Sequence, residues 1–201
     1  MDKKEENKTK LIAYGMYCNF IREVQHFDNM QTHFRLLAST ILLGSIAAIG
    51  FLFSIENINL PFEKTFAAFI VSLIGISSLY TLWHVDLKFY ERLLVSNFAE
   101  AYRFEEIHKW LPKAHHNMIR ASHKKDHPSN VAYFYIGCIT TIILTIGLTA
   151  SYDLYLVHNC KILSIISLIS SVLVSIIIFI FMKKKTNKIN DLLKEINYIS
   201  E

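Results

Sequence analysis

The chain has 201 residues, 52% of them hydrophobic and only 19% charged, with a formal net charge of +4 and a mean hydropathy of +0.30. That balance is too apolar for an average soluble domain of this length. Its three cysteines, Cys18, Cys138 and Cys160, are too few and too scattered for a disulfide framework or a metal-binding spacing.

In chain order, residues 1–35 read as an amphipathic helix. Ala13, Tyr17, Phe20, Val24, Phe27 and Phe34 recur at steps of three, four and seven, the spacing of one helical face. Residues 36–83 hold two apolar windows, Leu36 to Phe53 and Phe66 to Trp83. Residues 131–182 hold two more, Val131 to Ser151 and Ile162 to Met182. None contains Asp, Glu, Lys, Arg or His. At about 1.5 Å per residue each is long enough to cross a hydrocarbon core of about 30 Å. The first window follows 35 residues of charged and aromatic sequence, so no cleaved signal peptide is expected.

The second window does not stop at Trp83. In "LYTLWHVDLKFYERLLVSNF" the helical pattern passes without Pro or Gly into charged sequence, opening the segment 84–130. Leu87, Tyr90, Leu94, Phe98, Ala101 and Tyr102 fall on one face, and Lys88, Arg92, Ser96 and Arg103 on the opposite one. The pattern predicts an unbroken helix to Leu111, ahead of Pro112 and about 40 Å beyond Trp83. Glu105 and Glu106 read as surface charge on it. A tip, "KAHHNMIRASHKKDHPSN", leads to the third span. Of the clustered histidines His108, His115, His116, His123 and His127, the adjacent pair His115 and His116 point in different directions on any helix. The cluster therefore reads as a solvated, weakly pH-sensitive loop and not as a zinc site. Residues 183–201 form a last amphipathic helix through Ile189, Leu192, Leu193, Ile196 and Ile199.

The fold expected is an all-α membrane protein: four transmembrane helices whose cytoplasmic helical extensions form a small bundle with a basic tip. Nineteen of the 21 Lys and Arg residues lie in 1–35, 84–130 and 183–201. The positive-inside rule places those segments, with both termini, in the cytoplasm.

The chain carries no Gly-rich phosphate loop, nucleophile elbow or His-Glu-x-x-His motif, and the expectation is a non-enzyme without cofactor. Spans free of ionisable residues and of Pro argue against pumps and ion-coupled carriers. Four helices leave no room for a central aqueous path, so a channel would be an oligomer closed by a dewetted constriction. Hydroxyl stripes run along the last two spans, Thr141, Thr145 and Thr149 on the third and Ser164, Ser167, Ser171 and Ser175 on the fourth. Close helix packing and pore lining are both open readings of them.

The candidate ligand-binding residues are basic. Lys88, Arg92 and Arg103 share a helix face, and Lys109, Lys113, Arg120, Lys124 and Lys125 follow toward the tip. Membrane lipid headgroups suit the positions near the bilayer, and a phosphate-bearing ligand, a cyclic nucleotide or oligonucleotide, suits those further out. Tyr102, Phe104 and Trp110 are placed either to stack on bases or to pack a core.

A short aromatic start, paired spans, "LWHVDLKFYERLL" running from membrane into a charged helix, and a second pair of spans together resemble the small four-pass effectors of bacterial anti-phage signalling systems of the CBASS and Hailong type. The resemblance implies a homo-oligomeric, tetrameric channel or membrane-disrupting protein of the inner membrane. It would stay shut until a nucleotide signal from a partner nucleotidyltransferase binds its cytoplasmic helices and would then depolarise the infected cell. Two alternatives stand beside it: a non-conducting scaffold or sensor that docks a cytoplasmic protein, and an accessory subunit of a larger transporter.

Overall fold

The computed structural model describes residues 3–55, 63–121, 127–156 and 159–198, with backbone alone for 3, 118–121, 127–130 and 188–198. Every regular element among them is a helix. α1 (Lys3–Ser54) is one rod of 52 residues, about 78 Å long. α2 (Lys64–Val85) continues through a π-helical turn (Asp86–Tyr90) into α3 (Glu91–Ile107). A short α4 (Ala114–Ala121) follows, then α5 (His127–Leu156) and α6 (Lys161–Tyr198). α1, α2, α5 and α6 are long and apolar enough to cross a membrane. The chain is an all-α, multi-pass membrane protein.

α5 is the inner helix of the four. Half of its apolar window (50%) is buried, against 17% for α1 and for α6. Its Tyr135, Ile139 and Ile142 meet Ala38 of α1, Leu79 and Trp83 of α2 and Met182 of α6 in one core. The outer faces of α1 and α6 stay apolar, as a hydrocarbon solvent requires. Two glycines set how closely the helices approach. A Cβ on Gly75 would meet the Ser45 side chain and Ile142 Cδ1, and one on Gly147 would run into the Ser171 side chain. α1, α2 and α5 thus converge at the first, and α5 and α6 at the second. Before α6, Asn159 takes the left-handed conformation (φ 54°) that asparagine tolerates.

The spans extend on one side into a head made of the first half of α1, the π-turn, α3 and α4. The aromatic stripe of α1 faces the α3 rod. Phe20 meets Phe104 (ring centroids 5.8 Å), Phe34 meets Tyr90 (5.0 Å), and Ala13 and Tyr17 are buried. The side chains of Ile189, Leu192, Leu193 and Ile196 and all of Ile199 lie outside the described residues.

The rod after Trp83 departs from the expected unbroken helix twice. Leu79, Trp83, Leu87 and Glu91 are all buried, at intervals of four. Each such step overshoots an α-turn by about 40°, which would sweep the buried side around to solvent. The π-turn takes up the extra residue and keeps Asp86, Leu87 and Glu91 facing inward. The second departure is at the far end, where α3 stops at Ile107 and not at Leu111. His108 leaves the helical region (φ −105°, ψ 76°) and a turn closes from the Leu111 N–H to the His108 carbonyl (2.9 Å). The turn folds Leu111, 4% exposed, back into the head. A longer helix would have carried it outward.

Candidate functional site

Two polar clusters are buried where hydrophobic packing alone would be expected. The first closes the tip of the head around Glu105, which is fully buried. Ala101 and Leu94, one and three turns earlier, place Glu105 on the inner face of α3. The turn through Pro112 then sets the start of α4 directly over it. Glu105 Oε1 accepts the His115 backbone N–H (2.9 Å) and lies 2.7 Å from His115 Nδ1. Oε2 accepts the His116 backbone N–H (3.2 Å) and lies 2.8 Å from His116 Nδ1. Each imidazole must carry a proton on Nδ1 to donate there. The Tyr17 hydroxyl of α1 lies 2.9 Å from Oε1 and 2.9 Å from the Pro112 carbonyl oxygen, sharing one proton between two acceptors. One carboxylate therefore ties together α1, α3 and α4, at the helix N-terminus where a negative charge is favoured.

Burial by itself would raise the Glu105 pKa. The His115 backbone N–H, the two imidazoles and the Tyr17 hydroxyl override it and hold the group at about 2. Tyr17 moves the other way: burial, then the adjacent carboxylate, pushes its phenol up to about 12. The imidazoles are also fixed by rings. His116 stacks on Tyr102 (4.0 Å, 20°), and His115 meets the edges of Phe98 and Tyr17. Two expectations are thereby corrected. Glu105 is not surface charge, and His115 and His116 do not diverge, because backbone and side chain of each turn to the same carboxylate. Among the described residues no three ligating side chains are placed to hold a metal ion.

The second cluster lies where the spans meet the head, around the π-turn. Gln31 of α1, 0% exposed, donates to Glu91 Oε2 (2.8 Å), and Arg35 Nη2 reaches Gln31 Oε1 (3.4 Å). The Tyr135 hydroxyl of α5 donates to Asp86 Oδ2 (3.1 Å). Lys185 of α6 donates to the Tyr80 hydroxyl (3.0 Å), its Nζ 5.4 Å from the ring centres of both Tyr80 and Trp83. Every spanning helix thus contributes a polar side chain along the stretch of the rod from Tyr80 to Glu91. Such buried contacts have geometry that apolar packing lacks, so they fix the rotation of each helix relative to the others.

Among the described residues, the predicted basic side chains are not brought into one pocket. Lys88, Lys109 and Lys113 are exposed, Arg92 is half-buried, and Arg103 lies 3.5 Å from Glu100. The side chain of Arg120 and all of Lys124, Lys125 and His123 lie outside the described residues. In α5, the hydroxyls of Thr141, Thr145 and Thr149 donate to the carbonyls of Gly137, Thr141 and Thr145, satisfied within their own helix. In α6, Ser164 pairs with Ser151 of α5 (2.7 Å) and Ser171 packs at Gly147. Ser175 is buried and donates to the Ser171 carbonyl, and Ser167 is half-buried. The serine stripe thus lies on the side of α6 that meets α5.

Sequence reasoning missed Glu105, Asp86, Glu91 and Gln31 as interior groups. A signal was present: Glu91, Leu94, Phe98, Ala101 and Glu105 keep one helical phase, so the acids lie on the apolar stripe and not opposite it. Tyr17 sat on the α1 stripe, and a buried phenol calls for an acceptor. Comparison with protein-family models, curated proteins and solved structures yields no match.

Proposed function

We propose that the chain is a signal-responsive effector of the bacterial inner membrane, forming as a homo-oligomer, a tetramer, an ion path that opens when an anionic, nucleotide-derived ligand engages the head. The observation that supports this reading is mechanical. α1 and the α2–π–α3 rod each belong to both head and spans, and a buried polar belt at their crossing locks their rotation. A displacement in the head must then be passed to the spans or break those contacts. With 19 of 21 Lys and Arg on the head side, the head and both termini lie in the cytoplasm. Conduction takes more than one chain, because Leu79, Tyr135 and Ile142 fill the middle of the four helices at 0% exposure. A water path forms only between protomers.

The ligand is a cyclic nucleotide or oligonucleotide made by a partner nucleotidyltransferase. Arg92 and Arg103 on α3 hold it, with Arg103 exchanging Glu100 for phosphate, and Lys109 and Lys113 meet only a strand long enough to reach the tip. The ligand opens the path only by its higher affinity for the open form. The test is ion flux from liposomes containing the purified protein, challenged with linear and cyclic oligonucleotides. Flux that Arg92→Glu and Arg103→Glu abolish supports the proposal. Vesicles that stay ion-tight with every nucleotide, together with full cellular activity of both variants, overturn it.

A second reading, a non-conducting scaffold, is favoured by apolar side chains left uncovered on the head: Leu11 at 72%, Ile107 at 73% and Trp110 at 47% exposure. Overexpression separates the two readings. Depolarisation supports the pore, whereas an unchanged membrane potential with a co-purifying soluble protein supports the scaffold.

A further inference from the structure

The α2 face between α1 and α6 combines an apolar groove within the bilayer with positive charge at its end. Leu37 and Ile41 of α1 and Ser77, Ser78, Thr81 and Leu82 of α2 line a shallow open groove in the last turns before the head. The Ser77 and Thr81 hydroxyls donate to carbonyls of their own helix, at Ile74 and Ser77, so on those side chains the groove presents mainly carbon. Steps of four, three and four residues lead from Ser77 through Thr81 and His84 to Lys88, one continuous side of the rod. That side leads out of the groove onto cations.

His84 stands just beyond Trp83. Its ring lies 6.5 Å from that of Phe89, one residue past Lys88, and the Lys185 Nζ stands 5.4 Å from the ring centre of the adjacent Trp83. Lys88 is exposed, and Lys185 uses one of its three N–H donors on the Tyr80 hydroxyl. The nearby acids are turned inward, Asp86 to Tyr135 and Glu91 to Gln31. Among the described residues no carboxylate pairs with Lys88 or Lys185.

We propose that this face is a binding site for one anionic phospholipid per chain, an acyl chain lying in the groove and the phosphate held by Lys88, Lys185 and His84. Basic pockets at the ends of spans hold anionic headgroups by charge. The groove makes the ligand a lipid and not a free phosphate, because its lining belongs to the spans and is reached from hydrocarbon. The site is separate from Arg92, Arg103 and the tip, and it does not depend on whether the protein conducts.

Native mass spectrometry of the intact protein in mild detergent tests this, with phosphatidylglycerol, phosphatidylcholine and glycerol phosphate as probes. One phosphatidylglycerol per chain should be retained in preference to phosphatidylcholine. K88Q and K185Q should each weaken retention by about fivefold. S78W, which fills the groove, should weaken it while leaving both lysines in place, and K113Q on the exposed tip should leave it unchanged. Lys88 is exposed, so K88Q does not touch the core and loss of fold does not confuse the result. Equal retention of phosphatidylcholine, wild-type retention by K88Q and K185Q, or displacement of the lipid by glycerol phosphate would each overturn the proposal.

Discussion

Glu105 is fully buried, whereas the side chain of its neighbour Glu106 is 51% exposed. Changing each to Gln should separate them. In Glu105→Gln, an amide N–H₂ replaces an acceptor amid five donated hydrogen bonds and the charge that they were built around is gone. The head should lose about 3 kcal/mol, read as faster hydrogen exchange across α4, while Glu106→Gln should stay within about 0.5 kcal/mol of the parent. Acid has a defined window. A carboxylate held at about 2, below its ordinary 4.5, contributes stability that is complete above the ordinary value and is lost as pH falls through the lower one. Protection of α4 should therefore decline between about pH 4.5 and 2 in the parent and show no such step in Glu105→Gln. Tyr17 works at the alkaline end. Its phenol, raised from 10 to about 12, contributes stability that is present below pH 10 and fades as pH rises through 12. Tyr17→Phe should abolish that alkaline step.

At the scale of elements, the π-turn and the two close-packed glycines are the features most open to test. Removing Phe89, 55% exposed, would close the π-turn into α-helix and leave α3 at nearly its present rotation relative to α2, because five residues in a π-turn sweep about the same angle as four in an α-helix. Phe89→Ala keeps the residue count and should change little. The pair Phe20→Cys and Phe104→Cys, replacing rings 5.8 Å apart, should be bridged by a short bifunctional maleimide in a Cys18→Ser background and in one that also carries Phe89→Ala. Bridging should persist once Phe89 is deleted. Gly147→Val would drive carbon into Ser171 and should cost about 1–3 kcal/mol. Gly137→Ala, with nothing within 4 Å of the added carbon, should leave unfolding in denaturing detergent unchanged.

For the whole molecule, sidedness and sealing are the quantities to measure. On the proposed orientation Cys18 faces the cytoplasm and Cys160 the outside, both half-buried, while Cys138 is buried in the core. A membrane-impermeant maleimide applied to spheroplasts should label Cys160 alone. After permeabilisation it should also label Cys18, with Cys138 protected until the protein unfolds. Labelling of Cys18 in intact spheroplasts would reverse the orientation and move the basic surface away from any cytoplasmic ligand. The filled centre between α2 and α5 adds a constraint at this scale. A single chain isolated in a nanodisc should not conduct, and any current should appear only with assembled protomers.

Four spanning helices and the amphipathic rods beside them were legible in the sequence. Hydrocarbon demands uncharged windows, and one-sided burial demands a period near 3.6, so composition and spacing alone determine them. Leu87 and Ala101 are accordingly buried on the face that spacing assigned, and Ala13 and Tyr17 lie on the buried side of α1. Which polar groups go inside was decided only by tertiary structure. Glu105 and Glu106 look alike as letters, and only the turn after Ile107, which lays α4 across the rod, supplies one of them with four donors, Tyr17 of α1 adding the fifth. Likewise, the π-turn in "LYTLWHVDLKFYERLLVSNF" follows from Leu79, Trp83, Leu87 and Glu91 having to face the same neighbours. That requirement comes from where α1 and α5 stand, and it outweighs the local preference for 3.6 residues per turn.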